Sequence, residues 1–330
     1  MFEQYFKNKR ILVTGAAGYL GSTVINILKD TECEIARLEM SGNLSSIAGS
    51  KAKIMDIPGD IRDADLLEKA LENADIIFHF AAQTSTYKAN AEPLNDLQIN
   101  VIPVLTMLEI LRKKGRVASF IFSGTVTQMG LPKKLPVDEG PSDDPVTVYD
   151  LHKLMAEKYI KYYSKMGHVK GTTLRLANVY GHGPKSSSSD RGILNLMAKR
   201  ALSGQDITVY GDGSHIRDYI FVKDVARAFL LAAENIETLN GRHCVIGSGE
   251  GISLSDAFSL VSERAGLVTG KIVRVVSVDP PKDLSPIEER DFVADSSLFR
   301  KTTGWTPMYK LQQGIDETIG EFIKDPGKGG

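Results

Sequence analysis

The chain has 330 residues, 42% hydrophobic and 25% charged, the make-up of an ordinary globular protein with material for one large domain or two smaller ones. Lys and Arg number 40 against 41 Asp and Glu, so no overall field draws in nucleic acid or an anionic membrane, and local geometry must hold any anionic ligand. Two cysteines, Cys33 and Cys244, allow at most one disulfide and belong to no CxxC pair or metal cluster.

Both cysteines therefore read as buried thiols of a reducing compartment. No apolar run approaches membrane-spanning length in this reading, and "MFEQYFKNKR" lacks the apolar core of a signal peptide, so the expected location is the cytoplasm. Along the chain, "RILVTG" (10–15) is a compact apolar strand ending in glycine, followed by a helix over about 19–29. "CEIARLE" (33–39) reads as a second strand, "KIMDIPGDI" (53–61) holds a third, "DADLLEKALENA" (63–74) is a helix and "DIIFHFAA" (75–82) a buried strand. From Pro93 to Lys113 apolar residues fall at helical spacing, with Pro103 expected to disturb the ladder. "VASFIFSG" (117–124) is a strand, 148–164 a helix, and "TTLRLANVYG" (172–181) a strand running into a loop. Repeated β-α-β units predict a parallel sheet covered by helices on both faces. After Gly181 the rhythm changes: "GHGPKSSSSDRG" (181–192) reads as a loop. Helices are expected at about 193–203, 224–235, 255–265 and 311–323, and the terminal "KDPGKGG" is expected to fray.

"GAAGYLG" sets Gly15, Gly18 and Gly21 at the joint of the first strand and helix. Glycines there permit a tight turn and a close approach of backbone to a diphosphate, while the helix N-terminus offers N–H groups and partial positive charge. A Gly-rich turn serving packing alone is the bland alternative, and the surrounding strand–turn–helix–strand order favours a dinucleotide. Glu39 follows Gly21 by 18 residues, near the ~20 expected of the acid that binds the adenosine ribose. Its carboxylate would repel a 2′-phosphate and so favours NAD; were the strand two residues shorter, Arg37 would stand there and favour NADP. Asp60, in "GDIRD", ends the next strand on the same rim and either accepts from the adenine amino group or caps a helix, a task for which Asp63 and Asp65 are better placed.

Three tyrosines precede a lysine by four residues: Tyr5/Lys9, Tyr149/Lys153 and Tyr219/Lys223. The first precedes every strand. The third lies in "DYIFVKD", read as a strand, where that interval separates side chains by ~13 Å. On a helix it brings them to ~5–6 Å. Only Tyr149 and Lys153 stand at a predicted helix start that follows a strand ending in hydroxyl residues, "SGTVT", with Ser123, Thr125 and Thr127. A free phenol, with a pKa of ~10, is a poor base at neutral pH, and a neighbouring ammonium favours its phenolate.

The ordered set "VTGAAGYLG", "GDIRD", "HFAAQ", "PLNDLQIN", "FSGT", "YDLHK", "LRLANVYG", "YGDGSHIRDYIFVKDVA" and "ADSSLFRKTTGWTP" resembles the extended short-chain dehydrogenase/reductases, specifically the nucleotide-sugar epimerase/dehydratase group, from about Arg10 to about Phe322. The resemblance implies a Rossmann-type doubly wound parallel sheet with a smaller C-terminal α/β substrate domain. It sets an NAD-binding part at 1–180, with 215–240 packing back against it, and a nucleotide-sugar part at 181–330. It implies Tyr149 as acid/base, Lys153 as its partner and nicotinamide-ribose ligand, and Thr125 as the hydroxyl nearest the reacting oxygen. Gly15, Gly18, Tyr19, Leu20, Gly21, Glu39, Asp60, Ile61, Ala81, Ala82, Gln83, Asn100 and Ser123 would bind cofactor together with Tyr149 and Lys153. Thr84, Ser85, Thr125, Asn178, Ile193, Arg217 and Arg290 would meet the substrate, with Asn178 and Arg217 on its diphosphate. For Arg217 a surface salt bridge with Asp218 is the bland alternative. No metal site is expected, and a homodimer through the helices near 94–113 and 150–164 is.

Departures from the family pattern narrow the chemistry. Val126 and Thr127 replace the Asp-Glu or Glu that dehydratases and decarboxylases of this resemblance carry after the threonine, so no second acid is expected at the site. Asp150 stands where a small residue is usual and His152 where Ser or Thr is usual, and "SPIEER" replaces an Arg-x-Gly-acid motif, leaving Arg290 or Lys282 as its substitute. "AAQ", "PLNDLQIN" and "EERDFVAD" look most like the CDP-sugar 2-epimerase branch. The expected activity is NAD-dependent epimerisation of a nucleotide-activated sugar through a transient ketone. An NAD(P)H-dependent 4-keto-sugar reductase is the alternative, and a non-catalytic nucleotide sensor a more distant one.

Overall fold

The structure is a computed structural model that describes residues 2–324 apart from 41–43, 45–46, 48 and 184–191. The Ser-rich middle of the loop expected at 181–192, and most of the terminal "KDPGKGG", lie outside the described residues. Seven strands make one all-parallel sheet: β1 (Arg10–Thr14), β2 (Glu34–Glu39), β3 (Lys53–Pro58), β4 (Ile76–His79), β5 (Ser119–Thr125), β6 (Lys170–Leu176) and β10 (His243–Ile246). Their order is β10-β6-β5-β4-β1-β2-β3, which reverses direction between β1 and β4. Ligands bind in such folds at that reversal, beyond the carboxyl ends of the strands. The central strands are near-continuous apolar runs because helices cover both faces. The edge strand β3 is mostly exposed and carries Lys53 and Asp56, which discourages pairing with another edge.

One face of the sheet is packed by the helices Tyr19–Leu28 and Val222–Glu234. The first buries Gly21, Val24, Ile25 and Leu28, the i, i+3, i+4, i+7 stripe of an amphipathic helix. The other face is packed by Ala64–Ala70, Ile102–Lys113 and Val148–Lys165. The run expected as one helix over 93–113 is two, Pro93–Asn100 and Ile102–Lys113, broken at Val101 with Pro103 in the first turn of the second, where its missing N–H costs nothing. Contrary to the sequence reading, these 21 residues are long and apolar enough to span a membrane. Val104, Met107, Leu108 and Leu111 nevertheless lie in the core under the sheet, as in a core helix of a globular protein.

At Ala177 the chain leaves the large sheet. β7 (Asn178–Tyr180) lies parallel to β9 (Ile216–Phe221), which pairs antiparallel with β11 (Gly251–Ser253), while β8 (Ile207–Tyr210) pairs with β12 (Val275–Val278). A separate apolar cluster joins these to the helices Ile193–Leu202, Leu254–Thr269 and Leu311–Lys324. The segment "DYIFVKD" is strand only as far as Phe221, and Lys223 opens a helix and pairs with Glu317. Tyr5 likewise serves structure, donating its hydroxyl to the Ala233 carbonyl at 2.6 Å.

Candidate active site

The glycine loop is shaped for a close neighbour. Gly15 has φ +65°, and a Cβ there would lie 2.7 Å from the Ala81 nitrogen, so only glycine lets β1 and β4 end side by side. A Cβ on Gly21 would lie 2.3 Å from the Gly15 carbonyl oxygen, within the first turn of the helix that Gly18 caps. Thr14 Oγ1 accepts the Phe80 and Ala81 N–H groups at 3.2 and 3.3 Å, and its own proton is left for His79 Nδ1 at 2.7 Å. Burial, with the Lys153 charge added, pushes that imidazole down to about 3, so it is neutral at ordinary pH.

β2 ends at Glu39, not two residues earlier. The Glu39 carboxylate accepts the Ala17 N–H of the glycine loop at 3.0 Å and the Met40 N–H at 3.1 Å, which sets it on the rim beside that loop. Arg37 instead faces Asp56 across the β2–β3 register and is bound to it at 2.7 and 2.9 Å. The shorter strand that would have set Arg37 on the rim does not form. Asp60 lies on the same rim, paired with Arg62 and held below the usual carboxylate range by it, while Asp63 caps the next helix. Ile61 is buried beside them. Leu20 packs between two of the apolar clusters, whereas the Tyr19 phenol turns away from the loop and donates to the Gly181 carbonyl at 2.6 Å.

The Val148–Lys165 helix buries four ionisable side chains near its start or middle, Asp150, His152, Lys153 and Glu157, along with Tyr149. Such burial is costly unless each is partnered. Tyr149 is 6% and Lys153 3% exposed, one turn apart, and Lys153 Nζ lies 4.1 Å from the centre of the Phe122 ring on β5. Phe122 in turn stacks on His79 of β4. Lys153 therefore lies over β5 close to His79 at the end of β4, with Tyr149 one turn before it on the helix. Thr125 closes β5 and caps a short 3-10 turn, Val126–Met129, with Gln128 closing the reciprocal bond at 2.9 Å. Ser123 and Thr125 lie two apart on one side of the strand and are both half-buried.

Two hydrogen-bonded groups were not legible beforehand. Thr125 Oγ1 lies 2.7 Å from Thr127 Oγ1, Thr127 donates to Asp150, and Thr147 donates to the other Asp150 oxygen at 2.6 Å. The expectation that no second acid stands near the site is thus corrected: a carboxylate arrives from the helix, one hydroxyl removed from Thr125. His152, which sequence left without a role, is buried and meets Asp96 at 2.6 Å. Asp96 also accepts from Gln83 Nε2 at 2.7 Å and Asn100 Nδ2 at 2.9 Å, and Asn100 donates to the Gln83 carbonyl at 2.9 Å. The Asn100 Oδ1 is left buried without a partner among the described residues. Ala81, Ala82, Gln83 and Thr84 are half-open at the end of β4. Ser85 is buried, and its hydroxyl accepts the Lys88 N–H at the cap of Thr86–Ala91. No local pattern announces Asp96 and His152, which are 56 residues apart.

On the far side, Arg217 is 2% exposed and no surface salt bridge joins it to Asp218. It donates to the carbonyls of Glu288, at 2.6 Å, and Arg290, while Asp218 accepts N–H groups from Ser248, Gly249 and Ala294. Arg290 is buried and donates to Asn178 Oδ1 at 3.2 Å, whereas Lys282 is exposed. Asn178, Arg217 and Arg290 are thus brought together, two guanidinium groups in one buried place. Ile193 opens the helix that follows the undescribed 184–191.

A profile described as the NAD dependent epimerase/dehydratase family matches residues 11–247. The chain belongs to this family. It is 29% identical over 327 residues to the UDP-glucose 4-epimerase of Mycolicibacterium smegmatis, covering 96% of this chain and 99% of that one. The crystal structure of the UDP-glucose 4-epimerase of Thermotoga maritima with UDP-glucose superposes with a TM-score of 0.81 at 30% identity, covering 96% of this chain and 99% of that one. That of the Thermus thermophilus UDP-glucose 4-epimerase complex with NAD gives 0.79 at 28%, again over 96% and 99%. The fold expectation of a Rossmann-type sheet holds, and so does the reading of an NAD-dependent epimerase acting on a nucleotide-activated sugar. The keto-sugar reductase gains no support from these relatives. The cofactor of this epimerase-family chain is NAD, which the glycine cradle and the Glu39 carboxylate fit.

Proposed function

We propose that the chain interconverts a UDP-hexose and its carbon-4 epimer. The nucleotide and the carbon are taken from the relatives, each named a UDP-glucose 4-epimerase and matched over nearly its whole length; none of those named above carries the CDP-sugar 2-epimerase description. The observation that carries the reading is Lys153 over the Phe122 ring of β5, one turn after the buried Tyr149, on the helix whose Asp150 is hydrogen-bonded to the Thr125–Thr127 hydroxyl pair. Bound NAD supplies reversible oxidation of the sugar carbon. Tyr149 Oη takes the proton of the reacting hydroxyl and later returns it, the Lys153 ammonium favours the phenolate form, and Thr125 orients the oxygen. Gly15, Gly18 and Gly21 admit the diphosphate of NAD, Glu39 holds its adenosine ribose, and Ser123, Ala81, Gln83 and Asn100 line the nicotinamide side. Asn178, Arg217 and Arg290 hold the diphosphate of the sugar nucleotide while the keto sugar turns to present its other face. Val126 and Thr127 supply no acid for elimination, which suits epimerisation.

The division into an NAD-binding part, 1–180, and a sugar-nucleotide part, 181–330, follows the same logic, with 215–240 returning to the first. We also take the working form to be a homodimer in the cytoplasm. Leu94, Leu151 and Tyr162 expose apolar surface on the two helical segments expected to pair, and Leu151, Leu154, Met155, Tyr159 and Tyr162, with Lys158 among them, line one mostly apolar hollow. The free thiols of Cys33 and Cys244 suit a reducing compartment. Mass spectrometry of molecules released from the purified protein, followed by incubation with UDP-glucose, tests the function. Oxidised NAD and formation of the carbon-4 epimer without added cofactor are expected. Stoichiometric consumption of reduced nicotinamide with a keto sugar, and no epimer, would replace the epimerase by the reductase.

A further inference from the structure

Asp150 occupies the position after the tyrosine, and it is fully buried at the start of the Val148–Lys165 helix. One carboxylate oxygen accepts from Thr147 Oγ1 at 2.6 Å and the other from Thr127 Oγ1. The Thr147 oxygen meanwhile accepts the Asp150 N–H at 3.2 Å, and the positive end of the helix favours the ionised form. A carboxylate has no proton to give, and a hydroxyl has only one. The Thr127 proton is therefore spent on Asp150. Its oxygen can meet Thr125 only as an acceptor, so the 2.7 Å contact between the two hydroxyls has a single sense: Thr125 donates and Thr127 accepts. Thr125 Oγ1 also accepts the Thr127 N–H at 3.3 Å, so what it then offers to the open strand end is its remaining lone pair and no proton.

We propose that Asp150, acting through Thr127, is a positioning residue that fixes the Thr125 hydroxyl as a hydrogen-bond acceptor toward the reacting sugar oxygen. This rests on Thr125 being the hydroxyl beside that oxygen. An acceptor matches an alcohol, which has a proton to donate, and does not match a ketone, which has none. The line Thr125–Thr127–Asp150 thus favours the sugar as an alcohol, in either epimer, over the transient ketone. It also leaves proton exchange with the reacting oxygen to Tyr149 Oη directly, because Thr125 has no free proton to pass on. For an epimerase the consequence is a scarce keto sugar, with little to escape between half-reactions.

Holoenzyme variants at equilibrium with UDP-glucose test this through the absorbance of reduced bound cofactor, read beside turnover. Thr127→Val frees the Thr125 proton to donate to the ketone, and the reduced fraction is expected to rise on the order of fivefold, the worth of one ordinary hydrogen bond. Thr127→Ser should restore the original fraction, and Thr127→Ala replaces the valine variant if that one does not fold. Asp150→Asn no longer obliges both hydroxyls to donate, so it should shift the fraction the same way. Its effect should vanish in the Thr127→Val background, because both changes act through one link. A reduced fraction unchanged in Thr127→Val or in Asp150→Asn, or effects of the two that simply add, would overturn the proposal. Thr125→Val separates the premise from the inference: if it retains full turnover, the placement of Thr125 itself fails.

Discussion

At Glu39 the choice between two dinucleotides comes down to charge. Its carboxylate stands on the rim beside Ala17, while the guanidinium two residues earlier is taken up by Asp56. Glu39→Ala should weaken NAD binding on the order of tenfold, the worth of hydrogen bonds to a charged group, and leave NADP binding unchanged or tighter. Titration of the cofactor-stripped protein with each dinucleotide measures it. Arg217 shows the limit of reading residues singly. Its neighbour Asp218 suggested a surface pair, but alternation along β9 sends the two side chains to opposite faces. Asp150 and His152 looked anomalous in sequence because their partners, Thr127 and Asp96, come from elements that only the fold brings to the helix.

Among the elements, the loop between β1 and the Tyr19–Leu28 helix has the least freedom. Gly21→Ala places a methyl group against the Gly15 carbonyl, where backbone has to shift, so a loss of NAD retention of tenfold or more is expected on purification, with a lowered Tm. The Val148–Lys165 helix is anchored below the site by Glu157. Burial raises that carboxyl, but Arg175, bound at 2.8 Å through two nitrogens, and Lys161 reverse the effect and hold it down to about 2. Glu157→Gln would leave Asp143, at 2.6 Å, as the one carboxylate on the buried Arg175 guanidinium and should cost about 2 kcal/mol in denaturant unfolding, the worth of hydrogen bonds to a charged group. His243 on β10 lies against this group, and burial with the Arg175 charge pushes it down to about 4. Its neutral form is favoured by folding, so its contribution is complete above pH ~6.5 and is lost as pH falls toward about 4. That of Glu157 is present above ~4.3 and lost as pH falls toward about 2. His243→Gln should flatten the upper of these two limbs and Glu157→Gln the lower, as read from unfolding free energies across acid pH.

Over the whole molecule, the parallel sheet was legible because hydrophobic periodicity and glycine punctuation act locally, and the break at Val101 was foreshadowed by Pro103. The departure of the chain at Ala177 into a second sheet, and the return of β10 to the first, were not, since pairing between β10 and β6 depends on partners about 70 residues apart. The apolar hollow on the outer face of the Val148–Lys165 helix belongs to this scale too. Sedimentation should give a particle of two chains, and Leu151→Glu with Tyr162→Glu should give one, since burying two carboxylates in the seam costs more than the single Lys158 there offsets. The most direct test of the account is Tyr149→Phe, assayed for epimerisation with UDP and NAD binding measured on the same preparation. The predicted result is unchanged binding of both and turnover lowered by at least ~10²-fold, the share of a positioned acid/base. Turnover near that of the unaltered enzyme, with binding intact, would contradict it.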